Sequence, residues 1–286
     1  MKPDLAKLTF PKAVRFRQSK LRLPVLIEEK LDGERLLLTK GFACSRRLNQ
    51  YGKFENKWDR MPDQIKAMAA DTPVDGELVW PGHEASDVPT AVKEKSPELT
   101  FTGFRILEDL YPHEHHMRVQ DLGIAAPKLY GAYTELPEVH EENMLEYAAT
   151  LGYEGWVLKE RCKYPSWWKM KLEYTTDVIV MNFKMATAGQ YLGGVGSIEA
   201  GVFVDGILRP VAFVSGMKRP VRDALTENDF GRVMEIKHNG VLSQGRLRHP
   251  RFLRWRDDKN LAECTLEQFT NAERERIRKK YTAGTD

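Results

Sequence analysis

At 286 residues, with 42% apolar content and 44 Lys plus Arg against 41 Asp plus Glu (net charge +3), the chain has the make-up of a folded protein of one large or two ordinary domains, and intrinsic disorder as its main state is excluded. No apolar run approaches the roughly 20 residues needed to cross a bilayer, and the basic N-terminus has no apolar stretch behind it for export, so a cytoplasmic protein without membrane contact is expected. Cys44, Cys162 and Cys264 lie far apart without a C-x-x-C pair, which leaves no pattern for a zinc knuckle, a redox dithiol or a disulfide framework and predicts idle thiols.

In chain order, Lys2, Lys7, Lys12, Arg15, Arg17, Lys20 and Arg22 face only Asp4, a cluster that either grips a polyanion or is a solvated surface. The runs Val25–Glu29 and Arg35–Thr39 predict two strands joined at Asp32-Gly33, in a turn that uses glycine's backbone freedom. Trp58, Met61, Ile65 and Met68 recur at helical spacing and predict a helix within 56–70. Strands are expected at Leu78–Trp80 and Leu99–Leu107. His113, His115 and His116 fall in a Pro-flanked loop with no fourth metal ligand nearby in sequence. A helix over Glu138–Leu151 turns Glu141, Glu142 and Glu146 to solvent, and strands at Gly155–Lys159 and Trp167–Lys171 close this strand-rich part.

Beyond Tyr174 the texture changes to short β-runs separated by glycines: Asp177–Phe183, Ser197–Val204, Val211–Val214, Val233–Lys237 and Phe252–Trp255. Five such strands predict a small barrel of the OB type, closed by a surface helix over Thr265–Tyr281. The expected fold is therefore α+β, with one domain over 1–174 and a barrel over 175–286. The first carries 26 basic and 27 acidic residues and the second 18 and 14, so the barrel is the basic part, and Arg246, Arg248, Arg251, Arg254, Arg256 and Lys259 crowd one stretch of it.

The sharpest local feature is Lys30-Leu31-Asp32-Gly33-Glu34-Arg35, set between two strands. A lysine at a strand end can project its amine into a pocket, and Arg35 can reach the same ligand. Lysine attacks only as the neutral amine, so it needs neighbouring cations or desolvation. Lys169 and Lys171, two apart on a strand and hence on one face, supply such cations and would themselves welcome a phosphate between them. Asp75-Gly76-Glu77 and Glu154-Gly155 place carboxylates beside glycine at strand boundaries, where Mg²⁺ or a sugar hydroxyl can be held.

These residues, in this order, resemble the covalent nucleotidyltransferases, and within them the ATP-dependent DNA ligases. Lys30 to Arg35 looks like the family's K-x-D-G-x-R nucleophile motif, Ser45-Arg46 like its S-R element, and Asp75-Gly76-Glu77 like its D-G-E motif. Phe104 stands where an adenine-stacking aromatic is expected, with Phe101 as a substitute and Arg105 where the family has Asp; Glu154-Gly155 matches E-G, and Lys169 with Lys171 matches K-x-K. The stretch Arg248 to Lys259 is similar to the family's last motif in DNA ligases.

The resemblance implies a monomeric minimal enzyme: a nucleotidyltransferase (adenylylation) domain of antiparallel sheets with flanking helices, then an OB-fold domain, with a hinge near Tyr174 to Asp177. It implies ATP and Mg²⁺, and nicked double-stranded DNA as partner. By the family pattern Lys30, Asp32, Lys169 and Lys171 are catalytic. Glu28, Leu31, Arg35, Arg46, Glu77, Phe104 and Glu154 bind the nucleotide together with Lys30 and the K-x-K pair, as do Arg251, Arg254 and Lys259 in the first step, with Asp258 beside them. Glu77 and Glu154 hold the metal. An RNA ligase, a guanylyltransferase and a nucleic-acid-binding module without activity are the rival readings.

Overall fold

The computed structural model describes residues 10–108, 110–130, 135–136, 139–161 and 166–282. Cys162, Glu138 and the basic residues Lys2 and Lys7 lie outside them. The chain forms two compact units, Met1–Leu172 and Glu173–Asp286.

The first unit contains strands β1 (Val14–Arg15), β2 (Val25–Glu29), β3 (Glu34–Thr39) and β4 (Phe42–Ser45), helix α1 (Asp63–Ala67), β5 (Val74–Val79), α2 (Val88–Glu94), β6 (Thr100–Ile106), α3 (Pro112–Asp121), β7 (Glu135–Leu136), α4 (Glu141–Thr150), β8 (Gly155–Glu160) and β9 (Trp167–Lys171). They make a five-stranded sheet, β1-β9-β8-β2-β7, and a four-stranded sheet, β4-β3-β5-β6. Every pairing is antiparallel except β1 with β9. Leu36, Leu37 and Leu38 are all buried, the mark of a strand covered on both faces. Leu36 and Leu38 pack with Ile65 of α1 and Ala91 of α2, while Leu37 packs with Phe42 and Cys44. In the five-stranded sheet Val25, Ile27, Trp156, Leu158 and Met170 form a core with Met144 and Ala148 of α4.

Five local expectations are corrected. Strands β2 and β3 belong to different sheets, so Lys30 to Gly33 crosses between sheets instead of closing a hairpin. Gly33 is required there by close approach and not by backbone freedom: a Cβ on it would lie 2.2 Å from the Leu78 carbonyl oxygen. The helix within 56–70 is broken into a short 3₁₀ turn at Trp58–Arg60 and α1, because Pro62 disfavours helical backbone at the preceding residue, and Met61 is extended. The strand expected at Leu78–Trp80 begins at Val74, so Asp75-Gly76-Glu77 lies inside a ladder. The histidines lie on or at the start of α3, where Pro112 fits the first turn and the Glu114 carboxylate accepts the Tyr111 N–H at 2.7 Å.

The second unit contains β10 (Tyr174–Met185), β11 (Val195–Val204), β12 (Ile207–Val214), α5 (Arg219–Asp223), β13 (Val233–His238), β14 (Arg251–Trp255) and α6 (Asn271–Thr282). The strands form one antiparallel sheet in the order β12-β11-β10-β13-β14. Its edges meet at a single parallel bridge, Ser215 to Arg251, where the Phe252 N–H donates to the Ser215 carbonyl at 2.9 Å; no continuous ladder closes the sheet. Val178, Val180, Ile198, Val202, Val214 and Ile236 fill its core, with Ile277 of α6. Among the described residues no helix is long and apolar enough to cross a membrane.

Candidate active site

The period of two along a strand sorts the five-stranded sheet into two faces. Register sets Glu28 opposite Val157, Val157 opposite Lys169, Gly155 opposite Lys171, and Lys159 opposite Trp167. One face thus presents Glu28, Lys159, Trp167, Lys169 and Lys171, while the other buries the apolar set beneath α4. The four-stranded sheet contributes Arg35 opposite Glu77, with Asp75 two residues away on the same strand face.

Lys30 leaves the end of β2 with its backbone N–H bonded to the Gly155 carbonyl at 2.9 Å. Its Nζ lies 2.5 Å from Glu154 Oε2 and 3.3 Å from the Leu31 carbonyl. The other Glu154 oxygen accepts from Lys171 Nζ, so one carboxylate joins two ammonium groups. Gly155, at φ +144°, makes this possible: a Cβ there would lie 2.0 Å from the Met170 carbonyl oxygen on the neighbouring strand. Burial favours the protonated Glu154, but Lys30 and Lys171 outweigh it and hold the carboxyl below its ordinary range. Burial, then Lys171, Lys30 and Lys12, push the Lys169 ammonium below its ordinary value.

Across from these cations Glu77 is raised to about 7 by burial, with Asp75 and Glu154 adding to the shift and Lys30 and Arg35 opposing it. Arg35 is anchored by a bidentate pair to Asp75, at 2.9 and 2.6 Å, and by the Pro11 carbonyl. Its guanidinium lies 5.3 Å from the Phe104 ring centroid and 5.4 Å from that of Trp167. Phe104 is half-buried on the side of these groups, whereas Phe101 is fully buried in the core under the four-stranded sheet.

Lys159 was not singled out in the sequence, and it is the hub of the deepest part of the site. Its side chain is 2% exposed, and its Nζ lies 2.5 Å from Glu28 Oε2 and donates to the Phe104 carbonyl at 2.8 Å. It stands 4.8 Å from the centroid of Trp167, another residue given no role in the sequence reading. The available signal was parity, since Lys159, Lys169 and Lys171 share one sheet face. Among the described residues Glu28 Oε1 is buried without a hydrogen-bond partner, an acceptor 3.8 Å from His116 Nδ1. His115, also buried, accepts the Ile106 N–H at 3.4 Å; burial, then Lys159 and Arg105, depress its ring to about 4.

Among the described residues no three His, Cys, Asp or Glu side chains converge as a metal cage. Mg²⁺ commonly takes only one or two carboxylates and completes its shell with water and phosphate. Glu77 and Glu154, whose mutual repulsion contributes to the raised Glu77 value, are a donor pair of that kind. Arg46 is exposed just beyond β4. Asp32 is half-buried in the segment between the sheets. Cys44 and Cys264 are buried, and burial pushes their thiols up to about 12 and about 11.

Within the second unit four cations of the last motif are each met by a carboxylate. Arg251 lies 2.6 Å from Glu173, Arg254 2.6 Å from Glu235, and Lys259 2.6 Å from Asp177. Arg256 bonds both Asp177, at 3.1 Å, and Asp258, at 2.9 Å.

The chain is similar in structure to a chain of the Lig E DNA ligases, described as binding DNA with a minimal scaffold: TM-score 0.67, 18% identity, over 86% of this chain and 98% of that one. It is also similar to a structure named Pmar-Lig_Pre, with TM-score 0.65 and 20% identity over 86% of this chain and 67% of that one. At these identities the likeness is one of fold. No protein-family model matches the chain, and no curated protein matches it.

Proposed function

We propose that the chain is a minimal ATP-dependent DNA ligase that seals 3′-hydroxyl/5′-phosphate nicks in duplex DNA, with 1–174 as the adenylylation domain and 175–286 as an OB-fold domain. The observation that carries this reading is the Lys30, Glu154 and Lys171 constellation, with Lys169 on the same sheet face and Glu77 opposing it. An ordinary buried ion pair has no use for two ammonium groups on one carboxylate with a third on the same sheet face. A phosphate chain does, because it brings the missing negative charge. The fold shared with Lig E DNA ligases supports the same reading.

In the first step the Lys30 amine attacks the ATP α-phosphorus. A P–N bond forms, the bond to pyrophosphate breaks, the proton that the ammonium must lose leaves to solvent, and Glu154 holds the amine in place through its 2.5 Å hydrogen bond. Lys169 and Lys171 offset charge that builds on the α-phosphate. Glu77 and Glu154 would hold Mg²⁺, which supplies further neutralisation of the phosphates when bound. Phe104 offers its ring to adenine, and the unpartnered Glu28 Oε1 accepts from the adenine amino group. Arg35, fixed by Asp75, and Glu77 define the ribose side. AMP then passes to the DNA 5′-phosphate, and attack by the 3′-hydroxyl releases it and closes the nick.

Roles for Arg46 at the nucleotide, and for Arg251, Arg254 and Lys259 at the departing pyrophosphate, follow the family pattern alone. The OB reading of the second unit is supported by its strand order and by the Ser215–Arg251 bridge between its edges. Incubation with labelled ATP, denaturation and counting of bound AMP tests the first step: label on the wild type and none on Lys30→Ala is expected, and equal label on both removes Lys30 from the role. Joining of nicked DNA and of nicked RNA, each supplied with ATP, GTP or NAD, then tests substrate and cofactor.

A further inference from the structure

The four-stranded sheet of the first unit has a second face. Arg35 and Glu77, opposite one another on β3 and β5, occupy one side, so Glu34, Leu36 and Leu78 turn to the reverse, with Ser45 of β4 directly opposite Leu36. Between that reverse face, the 3₁₀ turn at Trp58–Arg60 and α2 lies a cavity of about 380 Å³, contained wholly in the first unit. Its volume is at the lower end of the roughly 300–1,000 Å³ of small-molecule pockets. That size suits a compact organic ligand.

The lining divides by chemistry. Leu36, Met61, Leu78 and Val92 make its inner part apolar. Ser45 lines it too, only 5% exposed, and its hydroxyl has no hydrogen-bond partner among the described residues. A buried hydroxyl left unpaired costs free energy that a polar group on an occupant recovers. The outer part is cationic, with Lys57, Arg60, Lys93 and Lys95 against Glu34 as the one carboxylate of the lining. Lys57 Nζ lies 3.9 Å from Glu34, and Arg60 lies 2.7 Å from Glu55. Lys93 and Lys95, exposed at the C-terminal end of α2, make no ion pair among the described residues. Lys95 is moreover held at φ 54°, in the left-handed region where glycine is the cheaper residue, so the local backbone does not account for a side chain there. A phosphodiester strand supplies charge but no apolar body to cover Leu36, Met61 and Leu78. A neutral hydrocarbon covers them and leaves both ammonium groups uncompensated. A small carboxylate with an aliphatic tail answers both requirements.

We infer that this cavity binds a small amphipathic anion of the medium-chain carboxylate class, with its tail against Leu36, Met61, Leu78 and Val92 and its head toward Lys93 and Lys95. The site lies behind the strands that carry Arg35 and Glu77 and shares no residue with the constellation around Lys30. It makes no use of the function proposed above.

Isothermal titration calorimetry of the full chain with octanoate tests it. Saturable one-to-one binding with a negative heat-capacity change, the mark of apolar burial, is expected. Shortening the tail to heptanoate and then hexanoate should weaken binding about 4-fold per methylene. Lys93→Ala with Lys95→Gly should weaken it about 5-fold, since exposed ion pairs are individually modest. Both replacements suit their backbone, alanine within a helix and glycine at positive φ, so the variant should melt no earlier than the wild type and the loss cannot come from unfolding. Absence of saturable binding, equal affinity in the double variant, equal affinity for octanol, or displacement of octanoate by an equal concentration of inorganic phosphate each overturns the inference. Labelling by ATP is scored separately. A chain that takes AMP but not octanoate keeps the ligase reading and loses this site, and the converse result keeps the site alone.

Discussion

Glu77 offers a quantitative test of the site's electrostatics. Its carboxyl titrates at about 7, against an ordinary 4.5, chiefly because burial disfavours the charged form. A carboxyl with a raised folded value binds its proton more tightly in the native state, so its stabilising contribution is complete below the unfolded value and lost as pH rises through the folded one. The 2.5-unit difference corresponds to ~3 kcal/mol once both states are ionised. Glu77→Gln keeps the shape and the neutral state at every pH. Relative to this variant the wild type should be destabilised by less than ~1 kcal/mol at pH 5 and by ~3 kcal/mol at pH 8. Urea denaturation followed by tryptophan fluorescence reads the right unit, since Trp58, Trp80, Trp156, Trp167 and Trp168 lie in the first and Trp255 in the second. Pairing with variants cancels every other titrating group. A stability difference that stays constant within ~0.5 kcal/mol from pH 5 to 8 refutes the burial argument and with it the placement of Glu77 among the cations.

Removing one partner of the Glu28–Lys159 pair strands a buried charge, so Lys159→Met should cost ~3–5 kcal/mol in urea denaturation, with much of the loss recovered in Glu28→Gln/Lys159→Met. A double variant no more stable than the single refutes the pairing. Glu154→Gln loses the link between Lys30 and Lys171 and should slow self-adenylylation about 10²-fold or more in single-turnover labelling; a rate near wild type contradicts the positioning role. Native protein treated with iodoacetamide at pH 8 should remain unmodified at Cys44 and Cys264, because raised thiols at about 12 and about 11 expose almost no thiolate. Peptide mass spectrometry shows the outcome, and rapid modification at either position refutes it.

Much of this architecture is written locally in the chain. The strand at Val25–Glu29 and the strand at Trp167–Lys171 end where the sequence pattern ends them, because β-branched and aromatic runs there coincide with buried faces. The Lys30, Glu154, Lys169 and Lys171 grouping was legible as residue types beside glycine and on one strand parity. Features set by tertiary context were not. Apolar spacing over 56–70 satisfied the helical period, yet Pro62 overrode it. The His113, His115 and His116 cluster read as a loop because polar histidines masked the buried face of α3. The parity that Lys159 shares with Lys169 and Lys171 takes meaning only once β8 and β9 are in register, and its importance comes from meeting Glu28 and the Phe104 carbonyl across two other strands. Close packing at Gly33 was likewise invisible, as the carbonyl it must clear belongs to Leu78.

The short crossing from β2 to β3 places the Lys30 amine on a seam between two sheets with separate apolar cores. Neither core alone can keep that nitrogen in register with Glu154 on one side and Glu77 on the other. On the proposed function, AMP transfer at Lys30 is therefore a coincidence detector for the integrity of both halves. Partial unfolding of either should silence AMP transfer before the remaining half has melted, which makes inactivation the earliest symptom of thermal stress.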